Sequence, residues 1–316
     1  MSARLIMKLD VVETDELGGG VRRLVLRHPR RPLLPPAEPG SHVDVHLGDG
    51  RVRQYSLCGD PADTSRYVIA VKLEREGRGG SRWVHEHLHQ GAVAHVSAPR
   101  NHFRLSPQAT HHVLVAGGIG VTPLLAMARH LVRAGAGVEM HYGAPSPDAA
   151  PFLPELEALL GPRLQGWWSR TRSGRGRFDA ARVLAGRDPG THVYVCGPPG
   201  LLDSVRGATA HWAPGRVHAE SFVPLAPAGP ALPFELEIRS TGQVLPVPAE
   251  RSALSVLREA GLIVASACEI GVCGACERPV AAGTVLHRDV VLDEAGRARS
   301  MMTCVSRGQG RVVLDL

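Results

Sequence analysis

Four of the six cysteines in this 316-residue chain form one series near the C-terminus: Cys268, four residues, Cys273, two residues, Cys276, then Cys304 after 27 more. That is the plant-type spacing by which thiolates ligate a [2Fe–2S] cluster. No other feature constrains the fold so tightly, because the four thiols must be brought to one place whatever the rest of the chain does. The segment between the first and third cysteines, EIGVCGA, is dense in small residues, as it must be for backbone N–H groups to point at sulfur. A disulfide framework is disfavoured, since nothing at the N-terminus reads as an export signal. A structural zinc site stands as the alternative, although zinc usually draws on paired CxxC knuckles and only Cys273 and Cys276 form one.

A cluster of this type accepts one electron at a time and cannot take a hydride. If it shares a chain with a nicotinamide site, something must split a two-electron donor into single electrons, and a flavin does this. The remainder of the sequence is therefore read for a flavin site and a nucleotide site.

At this length two or three domains are expected. Residues 1–105 read as short strands with turn signals (VRRLVLRH, SHVDVHL, RQYSL, RYVIAVKLE, AVAHVSAP) and one helix from Ser81 to His89, a small antiparallel β-barrel. Over 106–223 the rhythm becomes strand, turn, helix, as in HVLVA-GGIGVTP-LLAMARHLVRAG-VEMHYGA and again in THVYVCG-GPPGLLDSVRG, which argues a parallel α/β sheet. Residues 224–233 hold four prolines in ten and read as a semi-rigid linker. Residues 234–316 read as a small α+β unit of the β-grasp kind: FELEIRS, QVLPVPA, a helix ALSVLREAG, the cysteine loop and a last strand RVVLDL.

In RQYSL, alternation along a strand puts Arg53, Tyr55 and Leu57 on one face and Gln54 and Ser56 on the other. Arg53 suits a phosphate, Tyr55 a ribityl chain or ring, and Ser56 the ring edge near N5. GRGGS (77–81) opens a predicted helix and offers N–H groups and a hydroxyl to an anion. GGIGVTP (117–123) lies between a buried strand and a helix, where glycines admit a pyrophosphate. It is not G-x-G-x-x-G, and VEMHYGA ends without the carboxylate that would bind a ribose, so a Rossmann dehydrogenase is disfavoured. A crevice is expected between this turn and Cys196-Gly197-Pro198-Pro199. Cys196 has no identifiable base, so a packing role beside the nicotinamide is preferred to a nucleophilic one.

Taken together and in order, RQYSL, GRGGS, PRNHF (99–103), AGGIGVTP, YVCGPPG, HAESF (218–222) and the cysteine series resemble the phthalate dioxygenase reductase and vanillate demethylase reductase family over nearly the whole chain. The resemblance implies three domains holding FMN, NAD(P)H and a [2Fe–2S] cluster. It implies flavin contacts at Arg53, Tyr55 and Ser56, along Ala70, Val71 and Lys72, and at Gly79, Gly80 and Ser81 for the phosphate. Phe222 matches the aromatic that covers the isoalloxazine, and Gly118, Thr122, Cys196 and Pro198 match nucleotide positions. Ser56, Phe222 and Cys196 are thereby the residues expected nearest the hydride transfer, and Cys268, Cys273, Cys276 and Cys304 the cluster ligands. Two departures stand out. Pro145 replaces an arginine that relatives usually place after the second nucleotide strand, and WWSRTRSGRGRFD, with Arg170, Arg172, Arg175 and Arg177, replaces an acidic stretch. Arginines there would suit the 2′-phosphate of NADPH.

The function expected is that of a reductase component passing electrons from NAD(P)H through FMN and the cluster to a separate terminal oxygenase. A Rieske-type partner is favoured and a cytochrome P450 is the rival, since neither a Rieske histidine spacing nor a haem-binding cysteine motif occurs in this chain. A flavin reductase with an idle metal-binding module is the competing class. The formal charge of +6 does not point to nucleic acid, because no stretch interleaves basic residues with aromatics. No run of 18 apolar residues suggests a membrane span, so a cytoplasmic, monomeric protein is expected.

Overall fold

The computed structural model describes residues 5–48, 50–171, 175–223, 230–292 and 294–316. The first layer is built from β1 (Ile6–Glu16), β2 (Val21–Arg27), β3 (His42–His46), β4 (Val52–Ser56) and β5 (Tyr67–Lys72), then helix α1 (Gly80–His87) and β6 (Val93–Ser97). These strands form one sheet in the order β4-β3-β6-β1-β2-β5. The Leu57–Ile69 bridge and a 2.9 Å bond from the Cys58 N–H to the Val68 carbonyl join its two edges, so the sheet closes as a barrel. Its interior is lined by Leu9, Leu24, Leu26, Val43, Val45, Ile69, Val71 and Val96. β1 was not foreseen from the sequence: Met7, Leu9 and Val11 turn inward between polar neighbours, but a bulge at Val12 breaks the alternation before the strand ends.

The second layer alternates β7 (His111–Gly117), α2 (Val121–Arg133), β8 (Gly137–Ala144), α3 (Leu153–Leu160), β9 (Leu164–Trp168), α4 (Ala180–Leu184), β10 (Thr191–Cys196), α5 (Pro199–Ala208) and β11 (Val217–Glu220). All five strands are parallel, in the order β11-β10-β7-β8-β9. Period-2 alternation sends Leu114, Met140, Tyr142 and Tyr194 toward α2 and α3, and Val113, Val115, Val193 and Val195 toward α4 and α5. Both faces are covered, which is why these strands read as continuous apolar runs. Cys58 and Ala70 of the barrel and Phe103 beyond it join the α2 side of this core. Barrel and parallel sheet thus belong to one compact unit, Met1–Phe222.

The second unit, Val223–Leu316, contains β12 (Phe234–Ile238), β13 (Gln243–Val247), α6 (Ala253–Glu259), β14 (Glu277–Leu286), α7 (Glu294–Arg297), β15 (Ser300–Met302) and β16 (Arg307–Leu314). Its sheet runs β13-β12-β16-β14-β15, with β12 and β16 parallel and α6 packed on it through Leu254 and Leu257, a β-grasp arrangement. Ser252 caps α6 by accepting from the Ser255 N–H. The first six linker residues, 224–229, lie outside the described residues. The carbonyls of Pro230 and Leu232 accept from Arg288 and Arg307, each at 2.7 Å, so this end of the linker is fastened to the second unit.

Candidate functional site

On β4 the predicted alternation is realised. Arg53 and Tyr55 stand opposite Val45 and Val43, while Gln54 and Ser56 stand opposite Asp44 and His42. Tyr55 packs on the barrel core, and burial pushes its hydroxyl pKa up. Ser56 is buried, and Gln54 donates to Asp44 at 2.7 Å. The Arg53 guanidinium donates to the carbonyl of Arg78 at 3.3 Å, at the head of the glycine loop. Gly79 has φ +74 and precedes α1, and a Cβ on Gly80 would lie 2.6 Å from Arg53 Nε. The loop is therefore cut to seat an arginine against a helix N-terminus, a fit for an anionic group.

Along β5, Ala70 faces the parallel sheet, Val71 points into the barrel core, and Lys72 pairs with Glu74 at 2.7 Å. Val71 offers a ligand only its backbone, and His85 Nε2 already donates to its carbonyl at 2.9 Å. The Ser81 hydroxyl accepts from the Glu74 N–H at 3.0 Å, tying the loop before the glycines to α1. Phe222 is 39% exposed, an aromatic face directed to solvent just after the buried Ser221.

The two loops expected to flank a crevice meet instead. A Cβ on Gly120 would fall 2.3 Å from the Cys196 carbonyl oxygen, and one on Gly117 would fall 2.6 Å from Pro198 Cδ. Backbone packs on backbone because neither glycine has a side chain to hold the loops apart. Gly118, at φ +53, has open space where its Cβ would be. The Thr122 hydroxyl is buried and donates to the Ile119 carbonyl at 3.0 Å, which fixes the turn into α2. Cys196 is fully buried at the end of β10, and burial, reinforced by the nearby Glu220 carboxyl, holds its thiol pKa well above the ordinary value. That is the setting of a packing thiol, not a nucleophile.

Arg170 is exposed, and its N–H bonds the Pro145 carbonyl at 2.9 Å, so the two departures of the sequence are neighbours on the β8–β9 ladder. Arg175 and Arg182 stack over Trp167 at 5.9 and 5.2 Å, and Arg172 lies outside the described residues.

In the second unit, Cys268, Cys273, Cys276 and Cys304 are all buried, at 3 to 8% exposure. Their thiols neighbour one another in two pairs, Cys268 with Cys273 and Cys276 with Cys304. A single tetrahedral ion draws three or more donors to one point; among the described residues no such group of His, Cys, Asp or Glu occurs. Two thiol pairs suit a centre with two irons. Backbone N–H groups support them, with Ile270 donating to Cys268 Sγ at 3.4 Å and Cys268 to Cys273 Sγ at 3.5 Å. The neighbouring Cys273 thiol, aided by the N–H groups of Ile270, Val272 and Cys273, holds the Cys268 thiol below its ordinary value. The loop turns through left-handed residues, Glu269 at φ 58, Gly271 at φ 77 and Gly274 at φ 72. Glu269 is the non-glycine among them, and its carboxylate is held by Arg258 and by the Ser266 hydroxyl, each at 2.9 Å.

Residues 236–308 match the model of the 2Fe–2S iron-sulfur cluster binding domain, and residues 114–207 that of the oxidoreductase NAD-binding domain. Vanillate O-demethylase oxidoreductase of a Pseudomonas species is 41% identical over 90% of this chain and 92% of its own length. The solved phthalate dioxygenase reductase is 37% identical over 98% of both chains, with a TM-score of 0.75. The chain belongs to the phthalate dioxygenase reductase family. Within that family, the beta subunit of a heme-dependent oxidative N-demethylase of Ectopseudomonas mendocina is 46% identical over 90% of each chain. An intact type IV self-sufficient cytochrome P450 monooxygenase is 39% identical with a TM-score of 0.87, and this chain, 98% covered, spans only 41% of it.

As a phthalate dioxygenase reductase homologue, the protein is an NAD(P)H-dependent iron–sulfur flavoprotein oxidoreductase that transfers electrons. None of the helices among the described residues is long and apolar enough to cross a membrane. One neighbour of the nucleotide seam escaped the sequence reading: Glu220, whose carboxyl lies 4.0 Å from Cys196 Sγ and is pushed up to about 8 by burial. It stands in HAESF, 24 residues from Cys196, and only the β10–β11 register, which sets Cys196 beside Glu220, brings the two together.

Proposed function

We propose that this reductase oxidises a nicotinamide dinucleotide at the seam of the β7 and β10 loops and delivers its electrons singly to a separate terminal oxygenase. FMN, when bound, supplies the conversion of a hydride into single electrons, and the [2Fe–2S] centre carries them out. The observation that carries this reading is the pair of thiol pairs in a domain that follows a flavin and nucleotide unit. Cys268 with Cys273, and Cys276 with Cys304, would each hold one iron.

In the first unit, Arg53, Gly79, Gly80 and Ser81 fit the flavin phosphate, and Tyr55 and Ser56 its ring, with Phe222 as the cover. The Gly117–Gly120 turn and Pro198 let the nucleotide backbone approach, and Thr122 fixes that turn. Cys196 and the partly buried Glu220, whose carboxyl is held above its ordinary value, would stand beside the nicotinamide. Orientation and exclusion of water are what hydride transfer asks of a protein. Arg170 follows β9 with its backbone N–H on the Pro145 carbonyl, so this reading assigns it to the adenosine ribose or its 2′-phosphate, the role that relatives give an arginine at the position of Pro145. Six cysteines without a disulfide agree with a cytoplasmic setting.

For the acceptor, a Rieske-type oxygenase is the first reading, supported by relatives named as dioxygenase reductases. A haem-iron oxygenase is the second, favoured by the heme-dependent demethylase relative and the P450 fusion. Docking would be small, transient and partly polar. Anaerobic titration with NADH and then NADPH, followed by visible absorbance and low-temperature electron paramagnetic resonance, tests the relay. Flavin bleaching with growth of a reduced-cluster signal is expected. Flavin bleaching without that signal would leave a flavin reductase with an idle C-terminal module.

A further inference from the structure

His287 is the only histidine between Val223 and Leu316, and it meets a buried carboxylate. Its Nε2 donates to the Arg297 carbonyl at 3.0 Å; since a carbonyl only accepts, that nitrogen must carry a hydrogen. Its Nδ1 is buried, makes no hydrogen bond, and lies 3.5 Å from Asp289 Oδ1. The Asp289 side chain is fully buried, while that of His287 keeps 14% exposure, a path for a proton from water. Asp289 Oδ2 accepts from the Val291 and Leu292 N–H groups at 3.2 and 2.9 Å, and Oδ1 from the Ser306 hydroxyl at 3.3 Å. These contacts hold the carboxylate beside the cluster site from two directions. Ser306 stands two residues past Cys304, and the Val290 N–H donates to the carbonyl of Gly271, inside the cysteine loop, at 3.2 Å. Of the charged groups on the surrounding elements, Arg297 of α7 donates to the Asp289 backbone carbonyl at 3.2 Å, and Arg288 and Arg307 reach the linker carbonyls of Pro230 and Leu232. Glu294 of α7 is exposed, Glu269 of the cysteine loop is held by Arg258, and Asp293 lies outside the described residues.

A neutral ring with its hydrogen on Nε2 turns the Nδ1 lone pair toward an ionised carboxylate, two acceptors with no hydrogen between them in surroundings of low dielectric. One proton at that point makes the contact a charge-assisted bond and cancels the buried charge, so the two residues titrate as one site. Net charge is among the quantities that set the potential of an iron–sulfur centre, and one-electron reduction makes the centre more negative by one. We propose that His287 and Asp289 together form a proton-binding site linked to the cluster. The electron arriving from the flavin is accompanied by a proton taken from water between Nδ1 and Oδ1, and the proton returns to water when the electron passes to the acceptor. The added negative charge strengthens the pair's hold on the proton, so the cluster potential falls as pH rises through the range where the pair titrates. This rests on the cluster reading of the second unit and deepens it by coupling the electron to a proton.

The test is a redox titration of the full-length holoprotein at pH values from 6 to 9, with the reduced cluster read by low-temperature electron paramagnetic resonance, for wild type, Asp289→Asn and His287→Gln. In the wild type, the ratio of reduced to oxidised cluster at a fixed potential should fall about threefold or more across that range, about 28 mV for a one-electron couple. In Asp289→Asn the amide keeps an acceptor for the Val291 and Leu292 N–H groups and donates to Nδ1, so the pair is neutral throughout. Its potential should be constant and match the acid limit of the wild type. In His287→Gln the carboxylate stays charged, and the potential should be constant near the alkaline limit. A wild-type potential that does not move with pH overturns the inference, whether or not the variants keep their iron. So does a fall that survives in both variants, which would place the proton elsewhere. Absence of a reduced-cluster signal at every pH is distinct from both: it defeats the cluster reading, and the inference with it.

Discussion

The cysteine loop 268–276 and the glycine turn 117–120 are both short, tightly curved and rich in small residues, yet they use side chains in opposite ways. In the cysteine loop the side chains are the working groups, and the backbone curls through Glu269, Gly271 and Gly274 to present them. In the glycine turn the working feature is the absence of side chains, which lets one backbone lie on another at Gly120 and Cys196. The first site is local in sequence apart from Cys304. The second exists only because the turns after β7 and β10, far apart in the chain, leave strands that pair side by side in parallel.

This contrast predicts graded effects. The largest is expected for Cys273→Ser, which leaves one thiol pair broken: iron and sulfide content should fall to background, and one-electron delivery should fall by more than a hundredfold. Reduction of the flavin by NAD(P)H should survive, because that site lies in the other unit; its loss in a folded variant would defeat the relay order.

Next comes Gly120→Ala. The new methyl would meet backbone 2.3 Å away that no rotamer can clear, so a loss of about 1–3 kcal/mol in denaturant unfolding is expected. Gly118→Ala meets nothing within 4 Å but must adopt φ +53, and should lose only about 1 kcal/mol. Equal losses would show that the seam is not tightly packed.

Glu220→Gln sharpens the same region through pH. Burial raises the Glu220 carboxyl from 4.5 to about 8, so the folded chain keeps a proton that the unfolded chain has released. The stability this group contributes is full below 4.5 and is lost as pH rises through about 8. The wild type should therefore lose denaturant resistance between about pH 4.5 and 8, and Glu220→Gln, which stays neutral, should lose less. Identical slopes would mean that Glu220 is ionised and solvated in the folded protein.

The smallest effect belongs to Arg170→Ala, since an exposed arginine yields little. A rise of a few fold in KM for NADPH with little change for NADH is expected in steady-state assays. Equal changes for both would assign Arg170 to the shared ribose, and no change would leave it a surface residue.

Much of the fold was legible because period and punctuation carried it. The β5, β7 and β10 strands and the α2, α5 and α6 helices all stand on clear apolar patterns. β1 escaped because its alternation breaks at a bulge, and β14 because Glu277–Leu286 is largely exposed and its pairing shifts register twice. Short α4 and the β9 strand were hidden in loops rich in arginine and glycine. At the site, Arg53 was recognisable within RQYSL, but its bond to the Arg78 carbonyl was not, since that depends on how the glycine loop packs against β4.

By itself the sequence pointed to the cluster chemistry, since the spacing of its four cysteines is the plant-type [2Fe–2S] pattern. It also determined the layer types, since hydrophobic period dictates which face is buried. Tertiary structure alone decided the contact of Gly120 with Cys196, the pairing of Glu220 beside Cys196 and the bond from Arg53 to the Arg78 carbonyl. Those depend on which strands become neighbours, and burial and electrostatic potential are properties of neighbours in space, which no order of residues along the chain displays.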